Sequence, residues 1–245
     1  MTVCSLDELL IVTLANMLDD LAHVAVGAAS PIPAAASLLA QELSGGRLRV
    51  SILGSERHNP FTDGGNELFD CAAQGRIDAF FLGGGQIDGE GNINLVGVGD
   101  YPQSRVRWPG SFGSAFLYFM VPKVILFRDS HSPRLFVPKV DFVSAPGTSP
   151  DHVYRPGGPH ALVSSKAVMT FDRKGRRFHL KSLHPGQTLE EVVRSTGFAF
   201  GYDESPSETA LPDRRSLELI RGPIGNAVAE TYPAFAKQLV NELST

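Results

Sequence analysis

The sequence predicts an α/β protein with an open, mainly parallel sheet and helices on both faces. Short, mostly apolar runs at residues 23–27, 48–53 and 77–82 have the length of buried strands. Helical segments alternate with them over short links, the rhythm of a parallel sheet with crossover helices. No internal repeat or low-complexity tract interrupts the 245 residues, so 1–245 is expected to form one domain.

Taken in order, Ser5-Leu6-Asp7-Glu8 has the form of a capping box and opens a mostly apolar helix reaching Leu18. The strand at 23–27 follows, then a small-residue loop at 28–33 and a helix at 34–43, stopped by Ser44-Gly45-Gly46. Beyond the strand at 48–53, residues 54–65 are polar and turn-rich. A short helix at 67–74 ends at Gly75, and the third strand runs over 77–82. The texture then changes to a glycine-rich loop without helical period. Residues 116–121, 123–127 and 139–144 are expected as strands, with Pro122 a break or an edge. Residues 146–159 read as an exposed loop. The runs 162–171 and 177–183 flank Asp172-Arg173-Lys174-Gly175 as a hairpin. Helices are expected at 188–196, capped by Thr188, and at 216–221 and 232–243.

A net charge of −4 gives no reason to expect a nucleic-acid partner, and an anionic ligand would need local donors. The two cysteines, Cys4 and Cys71, lack metal-ligand spacing and are too few for a disulfide framework; reduced thiols fit a cytoplasmic location. The seven histidines form no ligand pair, so no metal site is expected. The first twenty residues lack a basic region and a cleavage site, and no apolar run is long enough to cross a membrane.

The sharpest local feature is Gly83-Gly84-Gly85 directly after a strand. Without side chains, a ligand can approach the backbone and amide N–H groups can face an anion; a tight turn explains the same residues. The dinucleotide fingerprint fails, because position 88 is Asp and no helix follows. Asp88, Glu90, Asn92 and Asn94 alternate like the start of a calcium loop, but Ile93 stands where that loop needs glycine; Asx turns account for them better. Ser111 is only a loose nucleophile elbow, since Pro109 breaks the pattern; Gly110, Ser111 and Gly113 read as a second glycine-rich wall. Ser55-Glu56-Arg57-His58 follows a strand directly. Ligands of parallel sheets sit at strand carboxyl ends, so Glu56 is a candidate nucleophile or base; a solvated loop is the plainer alternative.

Two stretches together resemble the β chains of family I coenzyme A transferases. The run 79–94, with Gly83-Gly84-Gly85-Gln86-Ile87-Asp88 and Gly91-Asn92-Ile93-Asn94, is similar to that family's strand and glycine segment. Gly99-Asp100-Tyr101, Gly110-Ser111 and Gly113 follow in the same order. The run 134–147, with Val140-Asp141-Phe142 and Ala145-Pro146-Gly147, is similar to a second family segment. The likeness spans about residues 48–200.

The resemblance implies the NagB/RpiA-like CoA-transferase fold and a β-type subunit sharing its active site with an α-type chain, as a heterodimer or a tetramer of two chains of each kind. It implies an acyl-CoA thioester as substrate, with no permanently bound cofactor. It assigns Gly83, Gly84, Gly85, Gln86, Asn92, Gly110, Ser111 and Gly113 to the coenzyme A wall. In the family a glutamate at the end of the second strand attacks the thioester. Ungapped alignment on Gly54 and Pro60 puts Ile52 at that position, whereas sliding the loop puts Glu56 there. Three functions stay open: CoA transfer through Glu56; ring-opening C–C hydrolysis of a cyclic, steroid-derived acyl-CoA with the catalytic glutamate on the partner; and a non-catalytic CoA-binding subunit.

Overall fold

The structure, a computed structural model, describes residues 4–241. The first part of the chain forms α1 (Leu6–Ala15), β1 (His23–Val26), α2 (Pro31–Leu43), β2 (Arg49–Ile52), α3 (Gly64–Ala73) and β3 (Ala79–Leu82). Short strands follow: β4 (Gln86–Ile87), β5 (Ile93–Asn94), β6 (Gly97–Val98) and β7 (Val106–Arg107). Next come α4 (Ser114–Met120), β8 (Lys123–Phe127), β9 (Pro159–Val163), β10 (Ala167–Asp172), β11 (Arg177–Leu183), α5 (Leu189–Ser195) and β12 (Ser207–Glu208). The last elements are α6 (Arg214–Leu219), a π-helical turn (Ile220–Ile224), α7 (Gly225–Val228) and α8 (Pro233–Asn241). The expected end of α8 at Leu243 lies outside the described residues. The chain divides into two compact units. One holds the chain as far as Leu68, then Arg76–Phe81 and everything from Ala210 onward; the other holds Phe69–Gly75 and Leu82–Thr209.

In the first unit β1 is wholly buried and pairs in parallel with β2 and with β3, His23 opposite Arg49 and Val24 opposite Ala79. Asp78 fixes the start of this sheet, its carboxylate accepting from the Ala22 and His23 amides at 2.8 Å each. Helix α1 is apolar on every side and accordingly buried from Leu9 to Ala15. Its capping box forms as the sequence predicts: the Glu8 amide donates to Ser5 Oγ and the Ser5 amide to Glu8. Helix α2 starts earlier than expected, at Pro31, because proline suits the first helical position, where an N–H would be unpaired anyway.

In the second unit β8 pairs in parallel with β9, β9 and β11 flank β10 antiparallel, and β12 adds in parallel to β11. The hairpin is thus present, with a bulge at Val168/Met169. Phe171, Phe178, Phe198 and Phe136 form a chain of tilted and edge-on ring contacts beneath it, with centroids 4.9–6.2 Å apart.

Two expected strands take other forms. Residues 114–120 are helix α4: Gly113, left-handed at φ 65°, precedes it, and Val121 before Pro122 is extended and ends it. An apolar run this short does not distinguish helix from strand by period alone. The run 139–144 forms no strand. Its Val140 and Asp141 amides donate to the side chains of Asp88 and Gln86, so no strand ladder is needed to satisfy them.

Candidate active site

The turn after β2 closes on itself. The Ile52 N–H donates to the His58 carbonyl at 2.8 Å and the Ser55 N–H to the Ile52 carbonyl at 3.2 Å. Ser55 is its buried hub: its hydroxyl accepts from the Arg57 and His58 amides and donates to Glu230 Oε2 at 2.7 Å. The Glu56 amide donates to the other Glu230 oxygen. The Glu56 N–H, then the Ser55 hydroxyl, hold the Glu230 carboxyl below the ordinary carboxylate range. Glu56 points into solvent, and its own carboxylate has no hydrogen-bond or ion-pair partner among the described residues. Ile52 is 2% exposed, so its position is closed to any reactant. Glu230 escaped sequence reasoning because it stands 175 residues from Ser55 and no local pattern marks it.

The glycine loop lies in the other unit. Gly83 sits against the Phe127 carbonyl and Arg128: a Cβ there would be 3.3 Å from the carbonyl oxygen and 3.6 Å from Arg128 Cδ. A Cβ on Gly84 would meet Ile93 Cγ2 at 2.6 Å, and one on Gly85 would enter the Trp108 ring. None of the three has a left-handed φ. Side-chain packing therefore requires glycine at 84 and 85, whatever binds nearby.

The polar residues that follow bind one another. Asn94 Nδ2 donates to Gln86 Oε1 and to the Gly97 carbonyl, both at 2.7 Å, and Gln86 Nε2 donates to Asp141 Oδ2 at 3.2 Å. Asp141 Oδ2 also accepts from the Gly99 amide at 2.8 Å. Asp88 Oδ1 accepts from the Glu90 and Asn92 amides, the Asx turns expected, and Asn92 Oδ1 takes the Gly147 amide. Gln86 is buried in this network. Asn92 borders a cavity of about 650 Å³ lined by Asp88, Glu90, Lys139 and Arg177.

These candidates do not all converge. Gly83 abuts Phe127 at the end of β8, whereas Gly91, beside Asn92, abuts Pro159 at the start of β9, and β8 and β9 are parallel. The stretch thus runs from one end of these strands to the other. Gly83, Gly84 and Gly85 stay grouped with Trp108, beyond which the loop reaches Gly110, open and at φ 104°, the half-buried Ser111, and Gly113 against Phe69. Phe112 between them is 81% exposed.

A Coenzyme A transferase family profile matches residues 8–195. The chain is 37% identical over 163 residues to the B chain of 3-oxoadipate CoA-transferase from Pseudomonas knackmussii, covering 63% of this chain and 62% of that protein. Identity to the B chain of glutaconate CoA-transferase from Acidaminococcus fermentans is 32%, covering 58% and 54%. The cholesterol ring-cleaving hydrolase IpdB subunit of Rhodococcus jostii is 31% identical, covering 63% and 62%. The matches thus span less than two thirds of each of these relatives. Among solved structures the decarboxylase AibA/AibB superposes with a TM-score of 0.77 at 25% identity, over 96% of this chain and 98% of that one. With the profile extending from α1 through α5, across both compact units, the chain belongs to the coenzyme A transferase family.

Proposed function

We propose that this chain is the β-type subunit of a cytoplasmic two-chain enzyme that transfers coenzyme A from an acyl-CoA thioester to a carboxylic acid. The observation that carries the reading is Glu56: an unpaired, exposed carboxylate on a turn clamped through Ser55 and Glu230 at the carboxyl end of a parallel strand. Its carboxylate attacks the thioester carbonyl and the CoA thiolate leaves, forming an acyl-glutamyl anhydride. The thiolate then attacks the glutamyl carbonyl, releasing the acyl carboxylate and leaving a glutamyl-CoA thioester. The acceptor carboxylate runs the same two steps in reverse, so one side chain serves both half-reactions. The partner is an α-type chain, since the transferase relatives are each named as one of two kinds of chain. 3-Oxoadipate and glutaconate are dicarboxylates, and we take the acid handled by this chain to belong to that class. No helix among the described residues is long and apolar enough to cross a membrane.

The test is trapping. Borohydride added to the co-expressed complex with acyl-CoA should reduce the glutamyl thioester and leave a modified Glu56, located by peptide mass. Turnover without any trapped glutamate on this chain would reject the role of Glu56.

One observation favours a second reading. Ile52, buried in the position that ungapped alignment gives the family glutamate, leaves the chain without a nucleophile there. The chain would then serve a ring-opening hydrolase whose catalytic glutamate sits on the partner, as a relative of the ring-cleaving IpdB subunit. Such an enzyme consumes water and needs no acceptor acid. Acceptor-dependent turnover separates the two, and a complex that binds CoA but loses no activity on any change in this chain would be the non-catalytic case.

A further inference from the structure

We infer that Arg128 is the specificity residue of this subunit, pairing with the free carboxylate of an ω-carboxyacyl-CoA; the inference rests on the reading that the chain serves a CoA-transfer site. Arg128 stands directly after β8, where its backbone N–H still donates to Val163 of β9 at 3.0 Å. Ligands of parallel strands gather at this carboxyl end. The side chain runs beside Gly83, the first residue of the triple glycine: a Cβ at Gly83 would lie 3.6 Å from Arg128 Cδ and 3.9 Å from Nη1. The Arg128 Nε–H is shut off from solvent and has no hydrogen-bond partner among the described residues.

A buried donor on a charged group is costly to leave unmatched, and such donors are rare enough that each asks for an explanation. Arg173 and Arg155 in the same unit show the usual outcome: Arg173 donates to the Pro156 and Pro122 carbonyls, and Arg155 to those of Gly157 and Tyr118. Arg128 differs by facing the glycine loop instead of a carbonyl. Side-on pairing of a guanidinium takes Nε–H and one Nη–H together, and their spacing matches the two oxygens of a carboxylate. The residue as a whole is only partly buried, so the fork is within reach of a small acid. A dicarboxylate joined to CoA through one end keeps a carboxylate at the other. Arg128 is placed to read that group while the thioester end reacts elsewhere.

The test uses the complex co-expressed with its α-type chain and three probes, glutaryl-CoA, butyryl-CoA and free CoA, titrated by calorimetry. Wild type should bind glutaryl-CoA on the order of 10-fold or more tighter than butyryl-CoA. Arg128→Met should remove that preference and leave the Kd of CoA and of butyryl-CoA within about twofold. Arg128→Lys, which keeps the charge but not the fork, should retain part of the preference and guards against a Met variant that fails to fold. Equal binding of both thioesters by wild type, or a preference that survives in Arg128→Met, overturns the assignment. So does a fall in affinity for CoA itself, which would place a coenzyme phosphate on Arg128, and so does dissociation of the complex, which would place the partner chain there. Wild type binding none of the three probes would instead defeat the CoA-transfer reading, an outcome distinct from equal binding.

Discussion

After β2, the turn at 53–58 sends its charged side chains into solvent and draws its structural bonds from the distant Glu230. After β3, the stretch 83–94 folds Gln86, Asp88, Asn92 and Asn94 back onto its own loops and onto residues 140–147. Both follow a strand of the same parallel set, yet the second carries the family's most recognisable motif and the first almost none of it. The difference separates two reasons for a motif. Polar residues whose hydrogen bonds are already met hold a shape; a group left unmet, such as the Glu56 carboxylate or the Arg128 Nε–H, is open to a ligand.

The contrast is broken most directly at Glu56. Glu56→Gln keeps the shape and removes the attacking carboxylate, so kcat should fall by on the order of three powers of ten or more, with stability changed by no more than about 0.5 kcal/mol. A loss under about tenfold would make the turn a solvated loop.

A second effect comes from the buried histidines of the second unit. His131 bridges Ser164 Oγ at 2.7 Å and Thr196 Oγ1 at 2.9 Å, and burial lowers its pKa to about 4. His184 is also lowered, by burial. The folded value lies below the unfolded 6.5, so the unfolded chain binds the proton more readily. The contribution is complete above about pH 6.5 and drains away as pH falls toward 4, by up to roughly 1.4 kcal/mol per pH unit for His131. Urea melts between pH 7.5 and 4.5 should show this decline, and His131→Gln should flatten it.

Gly84→Val sharpens the comparison next. Its Cβ meets Ile93, so the variant should lose about 1–3 kcal/mol through overpacking, seen as a lower Tm, and activity should fall with the folded fraction. Lost kcat/KM at unchanged Tm would restore a direct ligand contact. Smallest is Glu230→Gln, which keeps one oxygen for the clamp: kcat should drop on the order of tenfold or less with KM unchanged. If KM rises instead, Glu230 touches substrate.

Much of this fold was legible in the sequence because its signals are local. Ser5 with Glu8 and Thr188 with Glu191 are three residues apart, and both boxes form. The hairpin over β10 and β11 announces itself through polar turn residues between alternating strands. What stayed hidden depends on partners far along the chain. Helix α4 reads as a strand until Leu117 and Tyr118 are seen buried on one side and Phe116 exposed on the other. The run 139–144 reads as a strand until Gln86 and Asp88 are seen serving its backbone. In the candidate site the glycines and Glu56 were found, but Glu230, Trp108 and Arg128 were not, since each matters only through a residue many positions away.

Glu8 is wholly buried at the start of α1, and the charge it meets is Arg221 in the π-helical turn, at 2.9 Å from Nη2 and separated by 213 residues. A buried carboxylate deprived of its partner is strongly disfavoured. During synthesis, then, the first helix must wait, its acid still hydrated, until nearly the whole chain has left the ribosome. The second unit, almost continuous in sequence, faces no such delay and can fold first. A nascent chain halted before Arg221 should hold a protease-resistant second unit and a first unit still open to digestion.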